Sequence, residues 1–350
     1  MSPPQSSGGH GLSVVIPVKN RVAELGRQLD ALGPAIARCP EPVEVIVVDD
    51  SGPAAAAEHR ANCARAGARY LRGPRHVGAK RNLGVRHASY DLLMFTDSDC
   101  RVPADLFQRY VRRLRDSGPE VAGVTGPVIV APGTSAMFRV MRRSYLLLGD
   151  LTRPLHWSRV SWGAGANTAL KRAAFESVGG FPEDSPMPIG GEDLHLGLVL
   201  TDAGHVLLTE PGGVVTHDTG VAETFEAVAY RFTTYGRSEQ WLCVAHPHRR
   251  RPVFNAVSAA AVAAVGGLLA ARRTRGLSLL AAPAVLAGTV LAKAPGRLGG
   301  DRGLRAAGEA VACAAVETLF DAAAFVTALR MRRPDLLFTG FRPPDEADYQ

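Results

Sequence analysis

Two short motifs hold the most reactive groups in this sequence. "VIVVDDSG" puts Asp49 and Asp50 at the end of an apolar run, and "LLMFTDSDC" puts Asp97 and Asp99 one residue apart at the end of another. Carboxylates crowded together raise each other's pKa unless a cation or hydrogen-bond donors hold them. Oxygen-only ligation at a strand end suits Mg²⁺ or Mn²⁺, ions that bridge protein carboxylates to a substrate diphosphate. The alternative is local: aspartates at strand ends also form turns and cap helices, and "DDSGP" would allow it. A third acidic pair lies in "GGEDLHLGLVL", where Gly190 and Gly191 let backbone approach a ligand and Glu192 and Asp193 open an apolar helix. Such a pair supplies a general base with a positioning acid beside it, or it serves only the first turn of its helix.

These groups need a frame, and the first 130 residues have its rhythm. Leu12 to Val18, Val43 to Ser51, "ARYLRG", "LLMFTD" and "VAGVTGPV" read as strands; Val22 to Arg38, Ala54 to Ala68, Ala79 to Ala88 and Ala104 to Asp116 read as helices. Continuous β-branched runs alternating with helices predict an α/β fold with a parallel sheet covered on both faces. Ligands of such sheets sit beyond the carboxyl ends of the strands, where all four aspartates project. His217 ends a later apolar strand in "GVVTHD", and a histidine there is either structural or a ligand. Trp162 precedes "GAGAN" and could stack on a ligand or fill a core. "GAGAN" lacks the third glycine and the βαβ setting of a dinucleotide fingerprint.

Six segments, "SVVIPVKNR", "VIVVDDSG", "GAKRNLG", "FTDSDC", "GANTALKRAAFESVGGFPED" and "GGEDLHLGLVLTDAGH", stand in the order and spacing found in family 2 glycosyltransferases of the GT-A fold. Over roughly Leu12 to His217 the chain resembles that family. The resemblance implies a Rossmann-like mixed sheet and inverting transfer of a sugar from a nucleotide diphosphate-sugar to a hydroxyl acceptor. It also implies roles. Pro17 and the following loop would border the base, Asp50 would accept a hydrogen bond from it, and Lys80, Arg81 and Asn82 would face the nucleotide. Asp97 resembles the ribose-side member of the Asp-x-Asp pair and Asp99 the metal ligand, with Asp97 and His217 completing the metal shell. Asp193 resembles the catalytic base and Glu192 its acceptor-orienting neighbour, with Gly190, Gly191 and Trp162 on the acceptor side. The chain departs from the pattern at Lys19, where relatives often carry an aromatic residue, and at His195 and Val199 after "GGED". No QxxRW motif follows, which disfavours processive polymer synthesis.

Charge divides the chain unevenly. Arg249 to Arg305 holds ten Lys/Arg and one acid, Asp301, so this segment carries +9 of a formal +7 and the remainder is −2. The same segment contains two uncharged apolar runs, Pro252 to Ala271 and Gly276 to Ala292, separated by "RRTR". Bases flanking apolar runs predict an anionic membrane surface as partner and exclude nucleic acid. Leu304 to Leu329 carries Glu309, Glu317 and Asp321 and reads as amphipathic. Five scattered cysteines without a CxxC pair give no disulfide framework or thiolate zinc site and fit a reducing compartment. The opening "MSPPQSSGGHG" has no signal-peptide pattern.

The expected layout is a disordered tail over 1–11, a GT-A domain over 12–245, a hydrophobic membrane-associated helical region over 246–333 and a tail over 334–350. The expected setting is the cell membrane, with the catalytic domain cytoplasmic. A lipid-linked and a soluble acceptor both fit. The competing function is a non-catalytic, membrane-tethered nucleotide-sugar-binding module on a GT-A scaffold.

Overall fold

The computed structural model describes residues 9–148, 150–183, 190–218, 220 and 222–342. The chain forms two compact units, one made of residues 9–131 and 151–218, the other of 132–148 and 222–342.

The first unit is built on eight strands. β1 (Gly9–Val18), β2 (Val43–Asp49), β3 (Arg69–Arg72) and β4 (Tyr90–Phe95) run parallel, with α1 (Val22–Arg38), α2 (Pro53–Ala66) and α3 (Val77–Arg86) between them. β5 (Cys100–Arg101), α4 (Leu106–Arg115), β6 (Val121–Thr125) and β7 (Val128–Val130) follow. The sheet order is β3-β2-β1-β4-β9-β6-β10-β8, where β8 is Arg159–Val160, β9 Thr168–Lys171 and β10 Val206–Thr209. β9 runs antiparallel between β4 and β6, so the sheet is mixed. A small second sheet pairs β5 and β7 with β11 (Val215–His217). "VAGVTGPV" is therefore two strands in two sheets, because Gly126-Pro127 interrupts the ladder between them.

Alternation along the strands explains the two-sided core. Val14, Ile16, Val45, Val47, Leu92 and Met94 bury on one face, and Val15, Ile46, Val48, Leu93 and Phe95 on the other. Every strand end therefore emerges from a sheet packed on both sides. α7 (Arg172–Ser177) and α8 (Glu192–Asp202) complete this unit.

The second unit is mostly helical. α5 (Ala136–Met141), α6 (Tyr145–Leu148) and α9 (Phe225–Ala245) join α10 (Ala256–Ala270), α11 (Ala281–Lys293) and α12 (Leu304–Arg330), and β12 (Arg250–Pro252) pairs with β13 (Thr339–Phe341). The sequence reading divided the chain at 245/246. The structure instead groups α9 and residues 132–148 with the C-terminal helices: α9 buries Val228 and Phe232, and Gly236 of α9 leaves no room for a Cβ, which would lie 2.3 Å from Phe320 O of α12. Residues 9–11 of the expected N-terminal tail belong to β1, and 339–341 of the expected C-terminal tail to β13; residues 1–8 and 343–350 lie outside the described residues.

α12 buries Glu317 and Asp321 in its middle, and both are answered. Arg297 donates to both oxygens of Glu317 at 2.8–3.1 Å, and Ser144 Oγ donates to Oε1 at 2.7 Å. Asp321 receives Lys293 Nζ at 3.2 Å and the backbone N–H of Ala256 at 3.3 Å. The start of α10 and the end of α11 are thus fastened to one stretch of α12. At the other end of this hairpin Leu268, Leu269, Leu277 and Leu280 are exposed.

α3 carries three of the predicted donor residues, and its seat on β1 is tight. A Cβ at Gly84 would lie 2.4 Å from Val15 Cγ1. Gly84→Ala should cost about 1–3 kcal/mol through overpacking. A lowered Tm together with weaker nucleoside diphosphate binding in calorimetry is the expected result.

Candidate active site

The first acidic motif separates into two roles. Asp49 shares a face with Val45 and Val47 and is fully buried. Its carboxylate accepts from Ser51 N (2.7 Å), Tyr70 Oη (2.8 Å) and Arg72 Nη1 (3.0 Å). Burial works to raise its pKa, but the Ser51 and Tyr70 hydrogen bonds hold it below the ordinary value. For Asp49 the turn-forming reading is the structural one. Asp50, one residue on, faces the other way. Lys80 Nζ donates to its Oδ1 at 2.5 Å and to Val18 O at 3.1 Å; Lys19 Nζ lies 3.7 Å from Oδ2, which is buried without a hydrogen bond. Burial lowers the Lys80 pKa, partly offset by Asp50. Pro17 is buried in β1 in register with Val48.

Arg81 is the centre of the site. Its side chain is 3% exposed, and its guanidinium donates to Asp97 Oδ1 at 2.9 Å and to Glu192 Oε1 at 2.8 Å, with the Phe181 ring 5.1 Å away. Burial opposes its charge, but Asp97, Glu192 and Asp193 outweigh that and raise its pKa. Gly165 packs on the guanidinium so closely that a Cβ there would lie 2.6 Å from Nη2. Asn82, next to it, donates to Phe181 O (2.9 Å) and Glu183 Oε1 (2.8 Å) and accepts from Phe181 N (3.0 Å). Its whole amide is engaged in holding residues 181–183.

Asp97 and Asp99 differ in the same way as the first pair. Burial would raise the Asp97 pKa, yet Arg81, His217 and Arg21 hold it below the ordinary carboxylate value. Asp99 is buried between Arg21, whose Nη1 contacts Oδ2, and His217, whose Nε2 lies 3.4 Å from Oδ1. Asp99 Oδ1 has no hydrogen bond. His217 Nδ1 lies 3.1 Å from Asp218 O, so one ring nitrogen is directed at a backbone carbonyl while Nε2 is directed at Asp99. An orphaned buried carboxylate oxygen facing an imidazole oriented through its other nitrogen fits a divalent cation. Arg21 and Asn20 both adopt left-handed backbone (φ 52° and 53°), with Asn20 N bonded to Ser51 Oγ at 2.6 Å. For arginine that conformation is strained, and it brings the side chain to Asp99.

Glu192 and Asp193 start α8 behind Gly190 and Gly191, whose φ of 103° and 82° suit glycine. Glu192 Oε2 accepts from Gly190 N at 2.8 Å. Asp193 accepts from Leu194 N at 2.8 Å and Gly165 N at 3.2 Å. Burial and the neighbouring Glu192 raise its pKa to about 6, against the pull of Arg81 and the two N–H groups. Trp162, in the strand-to-loop segment leading to Gly165, is half-buried; Arg153 stacks 5.9 Å from its ring centroid, and its Nε1 has no hydrogen-bond partner. Residues 184–189, between the Asn82 clamp and Gly190, lie outside the described residues.

A mixed sheet with its acidic motifs gathered past the carboxyl ends of β2 and β4 is the GT-A architecture of nucleotide-sugar-dependent glycosyltransferases. Residues 13–179 match the model described as glycosyl transferase family 2. Among solved structures it is similar to the mannosyltransferase PcManGT of Pyrobaculum calidifontis, in complex with GDP-Man and Mn²⁺, at 18% identity and TM-score 0.54, covering 94% of this chain and 90% of that one. S. aureus TarS matches at 14% identity and TM-score 0.43, over 67% of this chain and 42% of that one. GalNAc-T7 with UDP, GalNAc and Mn²⁺ matches at 17% and 0.46, over 65% and 47%. No curated protein matches the sequence.

The structure brings the motifs named from the sequence into one cluster, and adds the contacts of Arg21 and Gly165, which sequence reasoning missed. Arg21 lies inside "PVKNR", where a polar pair following a buried strand is the available signal. Arg81 pulls the Asp193 pKa down, so Arg81→Gln should move Asp193 protonation above about 6. The acid limb of the pH profile for donor hydrolysis is expected to shift to higher pH in that variant.

Proposed function

We propose that the protein is an inverting, divalent-cation-dependent glycosyltransferase that moves a sugar from a nucleotide diphosphate-sugar to a hydroxyl acceptor at the cytoplasmic face of a membrane. One observation carries the reading: a single buried guanidinium joins the Asp97 carboxylate to the Glu192–Asp193 pair, and Asp193 beside it is kept more basic than an ordinary aspartate.

The residues divide the work by position. Asp50 Oδ2, an acceptor without a hydrogen bond, would take an N–H of the base, with Lys80 fixing the carboxylate and Pro17 bordering the loop. Asp97, partly exposed, is left for the ribose side. Asp99 and His217 would hold Mg²⁺ or Mn²⁺, with Asp97 adjacent; Arg21 would then release Asp99 and face the diphosphate. When bound, the cation neutralises charge on the leaving diphosphate. The Mn²⁺ and GDP-Man in the similar mannosyltransferase support both the cation and the donor class.

On the acceptor side, Asp193 takes the hydroxyl proton as the oxygen attacks the anomeric carbon from the face opposite the diphosphate. A pKa of about 6 leaves it ionised at neutral pH and a better base than an exposed aspartate. Glu192 positions Arg81 and the Gly190 turn. Trp162, half-buried, would supply a ring surface on the acceptor side.

The second unit supports the membrane reading. Leu277–Arg297 and Leu304–Arg330 are long and apolar enough to cross a bilayer by length and composition. α10 and α11 themselves, at 15 and 13 residues, reach only about 20 Å against a core of roughly 30 Å. No acid occurs from Gln240 to Gly300, and Arg272, Arg273 and Arg275 sit between the exposed leucines of the hairpin. That favours a hairpin dipping into one leaflet with arginines at anionic headgroups, and α12 as its scaffold.

Two variants test the chemistry together. Asp99→Ala should remove the Mn²⁺ dependence of nucleoside diphosphate binding. Asp193→Asn should leave that binding near wild type, lower sugar transfer or donor hydrolysis by roughly 10²-fold or more, and abolish the acid limb near pH 6. Intact binding with no turnover in the wild type under any common donor would instead favour the non-catalytic module.

For the membrane, full-length protein should float with anionic liposomes and Leu268→Asp/Leu269→Asp should not, while binding nucleotide equally well. A wild-type chain that stays in the soluble fraction would make the apolar helices a folded cap.

A further inference from the structure

Cys100 lies at the cation end of the site, and the reading above gives it no part. β5 and β11 pair with Cys100 opposite His217, so the two side chains rise from one face as cross-strand neighbours. Asp99 immediately precedes Cys100. A carboxylate oxygen of Asp99, a ring nitrogen of His217 and the Cys100 sulfur all lie within 4.8 Å of one another, and all three residues are buried.

A second, independent observation points to a ligand. Asp99 Oδ1 is sealed from solvent without a hydrogen bond, on a side chain only 6% exposed. His217 Nε2 lies 3.4 Å from that same oxygen, with the other ring nitrogen directed at Asp218 O. A carboxylate oxygen and a ring nitrogen converge there, with a thiol beside them.

Carboxylate oxygen, imidazole nitrogen and thiolate sulfur form a mixed set with room for one further ligand, the complement preferred by Zn²⁺ and its neighbours, whereas Mg²⁺ and Mn²⁺ favour oxygen. We propose, resting on the metal reading of the previous section, that Cys100 is a third protein ligand and that the site takes thiophilic divalent cations such as Zn²⁺ and Co²⁺. On coordination the S–H bond breaks heterolytically: the proton leaves to solvent, the electron pair stays on sulfur to form the metal–sulfur bond, and nothing is oxidised or reduced. Asp99 and His217 are common to both binding modes, so a thiophilic ion at Cys100 excludes Mn²⁺.

Titration of the full-length protein with Co²⁺ tests the proposal. A thiolate-to-Co²⁺ charge-transfer absorption in the near ultraviolet is expected in the wild type and absent in Cys100→Ala and Cys100→Ser. Zn²⁺ affinity should fall in both variants by at least the roughly tenfold that even an outer-shell partner contributes, and Mn²⁺ binding, followed by the electron paramagnetic resonance of the free ion, should change less. Serine keeps the volume of the side chain, so loss of the band there reports ligation and not packing. Mn²⁺ binding without any charge-transfer band in the wild type would overturn the role of Cys100 and leave the metal reading intact. A band that survives both substitutions would belong to another cysteine and also overturn it. If neither Co²⁺ nor Mn²⁺ binds, with or without nucleoside diphosphate, the metal reading itself fails and the proposal with it.

Discussion

The arrangement of this site depends on one buried guanidinium. Arg81 is almost wholly removed from water and survives there because Asp97 and Glu192 each take one of its nitrogens. A buried charge with its partners in place adds little net stability, but removing one partner strands the others and is typically worth about 3–5 kcal/mol. The guanidinium therefore fixes the spacing between a strand end and a helix start that are distant in sequence. Gly165 belongs to the same constraint, since only a residue without a side chain lets the loop lie against Arg81 and still present its N–H to Asp193.

The same field sets the chemistry of the carboxylates. Asp97, next to Arg81 and near Arg21 and His217, stays ionised through a wide pH range. Asp193 is buried beside Glu192 and receives less compensation, so it titrates near 6. Two aspartates in one cluster are thus held at different proton affinities, Asp193 raised by burial and its Glu192 neighbour, Asp97 lowered by the cations around it. That division into a permanent anion and an exchangeable base is what the proposed inverting transfer would use.

The parts of the fold that are apolar and continuous were legible in the sequence. β1, β2 and β4 announce themselves as unbroken runs, and the helices behind them by spacing. β9 was not legible: "TALK" is four residues long and runs straight into α7. β5 and β8 have two residues each, too few for any period to show, and β7 was merged with β6, whereas β11 was read from the apolar run before His217. Among site residues, motif membership located Asp50, Asp97, Asp99, Glu192, Asp193 and His217, but not what each touches. Asp49 and Asp50 could have been told apart by strand alternation alone, since Asp49 shares the parity of buried Val45 and Val47. The partner of Arg81 across 111 positions could not, because it depends on where α8 docks. Asn82 and Lys80 likewise read as ligand-facing when much of their bonding is internal. In the C-terminal third, charge pattern identified the apolar hairpin; the ion pairs that make α12 its mount are long-range and leave no local trace.

The ion pairs on α12 also set an order in time. Ser144 waits for Glu317, 173 residues later, and Arg143 waits for Glu309. At ordinary synthesis rates, on the order of 5–20 residues per second, that is a delay of roughly ten to thirty seconds. Through most of it the segment from Ala136 to Met141 has been synthesised while it lacks α12, the helix it packs with. Synthesis of the last helix is therefore what closes the second unit, and a ribosome that stalls before residue 304 releases a chain whose early apolar segment is still uncovered.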